Sequence, residues 1–324
     1  MLYVPVVHGA ALDRPDEVDT VASAEAIAGA LQRLGYRTDV IALTPDLSAL
    51  DALSADPPFV VFNLVEALGG VSARAPEAFD RYEELGLAYT GAGASAFRAS
   101  NSKLDTKECL LRRRIPTPAF WKDGSAVPAA ATVIIKSIDE HGSLGIDQGS
   151  VVNGTHAARE IACRELEFGC AFFAEDFIDG REFNVSVVET HGGPRVLPVA
   201  EIDFTRLPDG QRSIVDFGAK WDPDALAYHL TPRRFGLDKE EPSLAAEIGR
   251  LSLACWQAFG LTGYARVDFR VDSDGQPLVL EVNANPCLAP DAGFAAAAAE
   301  AGVGYDALIA SLVDVAAHAT PMVV

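Results

Sequence analysis

Apolar and polar positions recur along this chain with two different periods, and the change from one to the other divides it. Residues 3–7 form an apolar strand that runs into a loop at Gly9, and residues 19–34 carry apolar positions at helical spacing up to Gly35, a residue suited to a left-handed C-cap. A second strand is expected at 38–43. Pro57 and Pro58 precede the unbroken apolar run Phe59-Val60-Val61-Phe62, as expected of a parallel strand covered on both faces, and residues 75–85 predict another helix. The first hundred residues are therefore expected to form an open α/β layer. A helix is expected at 101–114, which Pro116 and Pro118 prevent from continuing, so a domain boundary is placed in this region.

Beyond it the period shortens to two. Strands are expected at 132–136, 171–177, 182–189 and 195–202, joined by Gly-rich turns, which is an α+β style of domain. The last third predicts a helix at 244–259, then strands at 263–271 and 277–282 around the turn Asp272-Ser273-Asp274-Gly275, and an Ala-rich helical tail. There is no internal repeat and no long low-complexity linker.

At 324 residues the chain has room for two or three domains. It is 49% hydrophobic and 22% charged, and no stretch approaches the roughly 20 apolar residues of a membrane span. The N-terminus lacks a basic start and reads as a strand, not a signal peptide, so a soluble, cytoplasmic protein without a membrane partner is expected. Five cysteines, Cys109, Cys163, Cys170, Cys255 and Cys287, are odd in number and form no C-x-x-C pair, which argues for reduced thiols over disulfides or zinc. The formal net charge of -20 excludes nucleic acid as a partner and requires a local basic cluster wherever an anion binds. The six histidines show no ligand spacing; His141 alone falls near a candidate loop.

Three stretches carry candidate chemistry. In Arg266-Val267-Asp268-Phe269 and Leu280-Glu281-Val282-Asn283, period two puts Asp268 on the face of Arg266, and Glu281 on the face of Asn283. Two carboxylates and an amide are hard oxygen donors that suit Mg²⁺ on nucleotide phosphates, and a guanidinium stabilises charge developing on a transferring phosphoryl group. A hairpin with a solvated polar face has the same pattern. Val133-Ile134-Ile135-Lys136, followed by Glu140-His141-Gly142-Ser143-Leu144-Gly145, offers a point charge and close backbone N–H groups for phosphates, or else a plain turn between strands. In Glu175-Asp176-Phe177-Ile178-Asp179-Gly180-Arg181-Glu182, Phe177 and Ile178 can sandwich a purine while Glu182 accepts hydrogen bonds from ribose hydroxyls; a solvated hairpin fits equally.

In this order and spacing the stretches resemble the ATP-grasp superfamily, most closely its D-alanine:D-alanine ligase branch, over nearly the whole chain. Lys103 matches the family's first phosphate lysine, Lys136 the second, and the segment from Gly142 through Ser143 to Gly145 the mobile loop that closes over the phosphates. Glu175, Phe177 and Ile178 fall in the adenine-binding linker, Glu182 matches the ribose glutamate, and Leu280 belongs to the same nucleotide site. Residues 214–221 resemble the segment whose lysine, Lys220, reaches the nucleotide. Arg266 matches the family's arginine, and Asp268, Glu281 and Asn283 its metal ligands. Glu17 matches the glutamate that holds the substrate amine, although an acid before a helix is also a common cap.

What the resemblance implies is an ATP-grasp fold, part α/β and part α+β, in three subdomains: an N-terminal open α/β layer (1–100), a central lid domain (101–182) and a C-terminal catalytic domain (183–324). ATP and two Mg²⁺ ions would lie between the last two, with Arg266, Lys220 and Glu17 as catalytic residues. A small-molecule carboxylate would take the γ-phosphate, and an amine would displace phosphate from the acyl phosphate to leave an amide, within a homodimer.

The match breaks off in the acceptor pocket. The family's acceptor serine and a nearby backbone glycine face alanine and cysteine in Asn285-Pro286-Cys287-Leu288-Ala289-Pro290-Asp291-Ala292-Gly293, and Asn63-Leu64-Val65-Glu66-Ala67-Leu68-Gly69-Gly70 stands where the family has a histidine-glycine segment with two acids. These departures bear on the substrate and spare the ATP machinery. Asp291 and Glu66 are candidates to face a cationic or amine-bearing substrate, and Cys287 is either a small buried hydrophobe or part of the site. Two other readings stay open: a true D-alanine:D-alanine ligase with an altered acceptor pocket, and a nucleotide-binding regulatory protein without turnover, against which the intact lysine, arginine and acid set argues.

Overall fold

A computed structural model describes residues 1–10, 15–139, 142–222 and 224–318, and the backbone alone of 15–17. The apolar strands of the N-terminal part form a parallel sheet in which β1 (Val6–Gly9) lies between β2 (Val40–Leu43) and β3 (Phe62–Leu64), with Val6 opposite both Val40 and Phe62. Parallel neighbours need crossovers, which α1 (Pro15–Arg33) and α2 (Ser48–Ala55) supply; α3 (Pro76–Glu84) and α4 (Ala94–Asn101) complete the layer. Val60, Val61 and Phe62 are wholly buried, as a doubly covered strand requires, although the ladder itself begins only at Phe62 because Val61 pairs with Tyr89 instead.

The helix expected at 101–114 begins two residues later and follows directly on α4, from which Ser102 alone separates it. Ser102 is extended, and its hydroxyl accepts from the Asp105 N–H to cap a new helix, α5 (Lys103–Arg112), so that Lys103 opens the helix with its N–H on the Ile138 carbonyl. Next come β4 (Phe120–Trp121), β5 (Thr132–Ser137), β6 (Val151–Asn153), α6 (Ala157–Phe168) and β7 (Phe172–Asp176), and the four strands form an antiparallel sheet in the order β4-β7-β5-β6. Helix α6, absent from the sequence reading, packs Ala157, Ile161 and Phe168 on Val133, Ile135 and Phe172. Its apolar stripe is interrupted by Arg164, which is buried because Glu160 and Asp147 neutralise it.

The remaining elements are β8 (Arg181–Thr190), β9 (Gly193–Val196), β10 (Ala200–Ile202), α7 (Phe217–Trp221), α8 (Leu226–Leu230), β11 (Arg233–Arg234), α9 (Leu237–Glu240), α10 (Pro242–Phe259), β12 (Tyr264–Val271), β13 (Pro277–Asn283), α11 (Gly293–Glu300) and α12 (Tyr305–His318). Their strands build an antiparallel sheet ordered β11-β10-β8-β12-β13, with β9 added at β8. The strand expected at 195–202 is split: Val196 pairs with Val187, whereas Ala200 pairs with Asn184, and the chain passes from one pairing to the next through 197–199. One face of this sheet, Phe183, Val185, Val187, Val267 and Phe269, is wholly buried in the core that includes Ile248, Leu251 and Cys255 of α10. Period two then commits the opposite face to the alternate residues, Glu182, Asn184, Arg266, Asp268 and Arg270.

Candidate active site

The polar face carries the site. Register sets Arg266 opposite Asn283, Asp268 opposite both Glu281 and Asn184, and Arg270 opposite Glu182. Arg266 grips Asp268 through two bonds of 2.8 Å and lies 3.8 Å from Glu281, while Asn184 donates to Asp268 at 2.9 Å. Burial pushes the Asp268 carboxyl up to about 6 against the opposing pull of Arg266, and Asp268 in turn outweighs burial to hold the guanidinium charged. Between Asp268 and Phe269 the pairing of β13 slips by one residue, so Leu280 is an added residue on that strand. Through this bulge Val279 and Val282 are both buried in the core, and Leu280 and Glu281 both line the cavity; strict alternation permits neither.

The facing wall is the four-stranded sheet. Glu175 pairs with Lys136 at 2.6 Å and with Lys107, a fully buried lysine one helical turn beyond Lys103 that also donates to Thr117 at 2.7 Å. Burial alone raises the Glu175 carboxyl, but the two ammonium groups outweigh it and hold the group below its ordinary value; burial pulls Lys107 down to about 8. The side chain of Glu175, assigned from sequence to the adenine linker, is thus occupied in ordering two lysines. Glu182 likewise has a partner that sequence reading missed: Arg270, itself 5% exposed, donates to it at 2.7 Å, to the Gly180 carbonyl at 3.0 Å and to the Ser213 carbonyl. Arg270 therefore ties the 178–182 wall to the segment that leads to Lys220.

That segment is latched to the glycine loop. Trp221 donates through Nε1 to the Gly142 carbonyl at 2.7 Å, the Ser143 hydroxyl donates to the Val215 carbonyl at 2.9 Å, and the Phe217 N–H donates to the Ile146 carbonyl at 3.0 Å. Gly142 has φ 73° and a Cβ there would meet the Trp221 ring at 3.3 Å; at Gly145, φ 66°, it would meet Phe172 at 2.8 Å, so this conformation requires glycine at both. From behind, Arg164 donates to the Gly145 carbonyl. The latch draws Lys220 into the cavity, where burial, and then Arg266, lower its ammonium. Trp221→Phe keeps the ring and removes the hydrogen bond, and is expected to raise KM for the ATP that the family resemblance implies about 2–10-fold with little change in kcat, as steady-state kinetics would read.

These walls enclose a cavity of about 890 Å³ lined by Lys103, Lys136, Gly142, Ser143, Glu175, Phe177, Ile178, Glu182, Lys220, Arg266, Asp268, Leu280 and Glu281. A second cavity of about 100 Å³ is lined by Asn283, whose Oδ1 accepts from the Asn285 N–H at 2.9 Å, and by Glu66; the two share Asp19, Gly142, Lys220, Trp221, Arg266 and Cys287. Glu17 has its side chain outside the described residues, as does all of His141; the N-terminal acid that reaches both cavities is Asp19. The Cys287 thiol donates to Asp19 at 3.3 Å, and burial, with Asp19 adding to it, pushes that thiol up to about 12, so it stays protonated and offers no nucleophile. Asp291 is exposed at the larger cavity's edge.

Known proteins resemble this chain in sequence and in fold. The family described as D-ala D-ala ligase C-terminus matches residues 128–314. The chain is 29% identical over 329 residues to the D-alanine–D-alanine ligase of Gloeobacter violaceus, covering 97% of this chain and 99% of that protein. It is 33% identical over 242 residues to that of Bordetella petrii, covering 72% and 70%. The crystal structure of the Bacillus anthracis D-alanine–D-alanine ligase complexed with ATP superposes with a TM-score of 0.74 at 19% identity, covering 98% and 97%, so the fold is that of the ATP-grasp ligases.

Proposed function

Because the chain belongs to the D-alanine–D-alanine ligase family and is an ATP-dependent ligase that forms carbon–nitrogen bonds, we propose that its cavity joins an amino acid or small carboxylic acid to an amine through an acyl phosphate. The observation that carries this is the single cavity running from Lys103 and Lys136 to Arg266, Asp268 and Glu281. Lys103 and Lys136 hold the phosphates as point charges, Phe177, Ile178 and Leu280 enclose the base, and Glu182, steadied by Arg270, takes the ribose. Lys220 and Arg266 face the transferring group and stabilise its charge, and Glu17, with Asp19 beside the pocket, takes the substrate amine. Asp268, Glu281 and Asn283 supply hard oxygen donors that fit Mg²⁺, two ions by number, which would neutralise the nucleotide phosphates when bound. No enzyme nucleophile takes part.

The three sheets support subdomains at 1–100, 101–182 and 183–324, with β8 carrying the last boundary and α5 packed on α4, α10 and β13. The resemblance to the family supports a homodimer, which light scattering checks. No single helix among the described residues is long and apolar enough to cross a membrane.

The experiment is ADP release with ATP and Mg²⁺ across amino acids and small carboxylic acids, beginning with D-alanine, with Glu281→Ala as the blank. Turnover on at least one acid and amine pair is expected, lost in the blank and on chelation by EDTA. ATP binding without turnover on any pair would point to the non-catalytic reading.

A further inference from the structure

Asp268 receives more hydrogen bonds than its partner arginine supplies. An ionised carboxylate only accepts, and its two oxygens together have about four places to do so. Arg266 fills one on each oxygen, Nε donating to Oδ1 and Nη2 to Oδ2, both at 2.8 Å. Asn184 fills a third, with its Nδ2 donating to Oδ1 at 2.9 Å. Oδ1 is then fully used, and Oδ2 keeps one place. The carboxylate can therefore give a cation one bond, through Oδ2, and can chelate it with both oxygens only if a hydrogen bond breaks.

The sheet holds Asn184 where that contact needs it. It lies in β8, with Asp268 of β12 across from it on one side and Ala200 of β10 on the other. Strands on both sides fix its backbone, and Ala200 offers the side chain no rival partner. Because Asp268 can only accept, the amide must turn its Nδ2 and not its oxygen towards the carboxylate. Glu182, the cavity-facing residue before it on β8, is committed to Arg270 at 2.7 Å, so it does not compete for the contact. A carboxylate at 184 would repel Asp268, and an apolar side chain there would leave Oδ1 with a place open.

Given the ligase reading proposed above, on whose placement of a cation at Asp268 the inference rests, we propose that Asn184 is a positioning residue for that cation: by occupying Oδ1 it confines Asp268 to a single bond through Oδ2. A hydrogen bond to a ligating carboxylate fixes its orientation, as outer partners of metal ligands do. One bond from the carboxylate suits Mg²⁺, which demands a near-octahedral set, whereas a grip by both oxygens suits the larger and more adaptable Ca²⁺. Asn184 thus bears on which cation the cavity takes as well as on how tightly it is held.

The test reads metal binding without turnover. The whole protein is held with an ATP analogue whose β–γ bridge is nitrogen, and free Mn²⁺ is counted by electron paramagnetic resonance with the analogue alone as the blank. Mg²⁺ and Ca²⁺ are then ranked by competition. Asn184→Leu, which matches the side chain in volume but has no N–H, is expected to weaken Mg²⁺ about 10–100-fold, the usual effect of removing a partner from a ligating group. Ca²⁺ weakens less, because the freed Oδ1 gives it a second bond, so the preference for Mg²⁺ over Ca²⁺ narrows. Asn184→Thr keeps a donor on a shorter side chain and falls between wild type and Asn184→Leu on both counts; it carries the test if the leucine variant does not fold. A purely structural role would weaken both cations together and leave their ratio intact, and that result overturns the proposal. Asn184→Leu that binds Mg²⁺ as tightly as wild type overturns it too, and both results leave the ligase reading standing. Cation binding as expected in a protein that turns over no acid and amine pair sinks the ligase reading and keeps the placement of Asn184. A wild-type complex that takes up no Mn²⁺ overturns both.

Discussion

Arg266→Ala is expected to lower kcat for ligation about 10²–10³-fold while KM for ATP moves far less. The guanidinium is held by two bonds to Asp268 and stands 3.8 Å from Glu281, on the face proposed above to meet the metal and the phosphoryl group. A cation fixed in that way stabilises charge most where charge develops, and such an interaction appears in kcat. Arg266→Lys keeps the charge but loses the two-pronged grip, and an intermediate loss follows. Removing Arg266 also leaves Asp268 buried beside Glu281, so ATP binding by the variant is measured alongside turnover to show that the site has survived. A rise in KM with kcat untouched would mean that Arg266 only helps to bind the nucleotide.

Glu175→Gln is expected to cost about 3–5 kcal/mol of stability, read by denaturant unfolding. Its carboxylate is 1% exposed and is the shared counter-charge of Lys107, wholly buried, and Lys136, 12% exposed. Glutamine has nearly the same shape but no charge, so the substitution strands the wholly buried Lys107 ammonium where water does not reach and takes the acid partner from Lys136 at the cavity wall. Lys107 already titrates near 8 with its acid present. Adding Lys107→Met to Glu175→Gln replaces one stranded charge with an apolar chain of similar length and is expected to restore much of the loss, because a buried pair contributes little beyond what breaking it costs. A single variant as stable as wild type would show that the lysines find another partner or lose their protons.

Much of the β12–β13 wall of the cavity was legible because its alternation is written in few residues. Arg266 and Asp268 share a face of β12 by period two, and Glu281 pairs across from Asp268 as that pattern requires. The bulge at Leu280 was not legible, since an added residue appears only when two strands are set side by side. Lys107 lies one helical turn past Lys103 and Arg270 two residues past Asp268, so both obey periods visible in the chain; their acids, Glu175 and Glu182, are brought to them by folding alone. The break between α4 and α5 turns on one serine cap, too local to interrupt the helical pattern on either side. Helix α6 escaped notice because Arg164 stands on its buried stripe with acids that neutralise it. The end of the cavity where Asp19 meets Cys287 was least legible: the two come from separate parts of the chain, and no period links them.

The most direct test of the central claim is oxygen transfer. With ATP, Mg²⁺ and an amino acid substrate labelled with ¹⁸O in its carboxylate, activation through an acyl phosphate moves one labelled oxygen into the phosphate released at each turnover. Labelled phosphate formed in step with ADP is the predicted result; ADP formed with unlabelled phosphate would contradict the account.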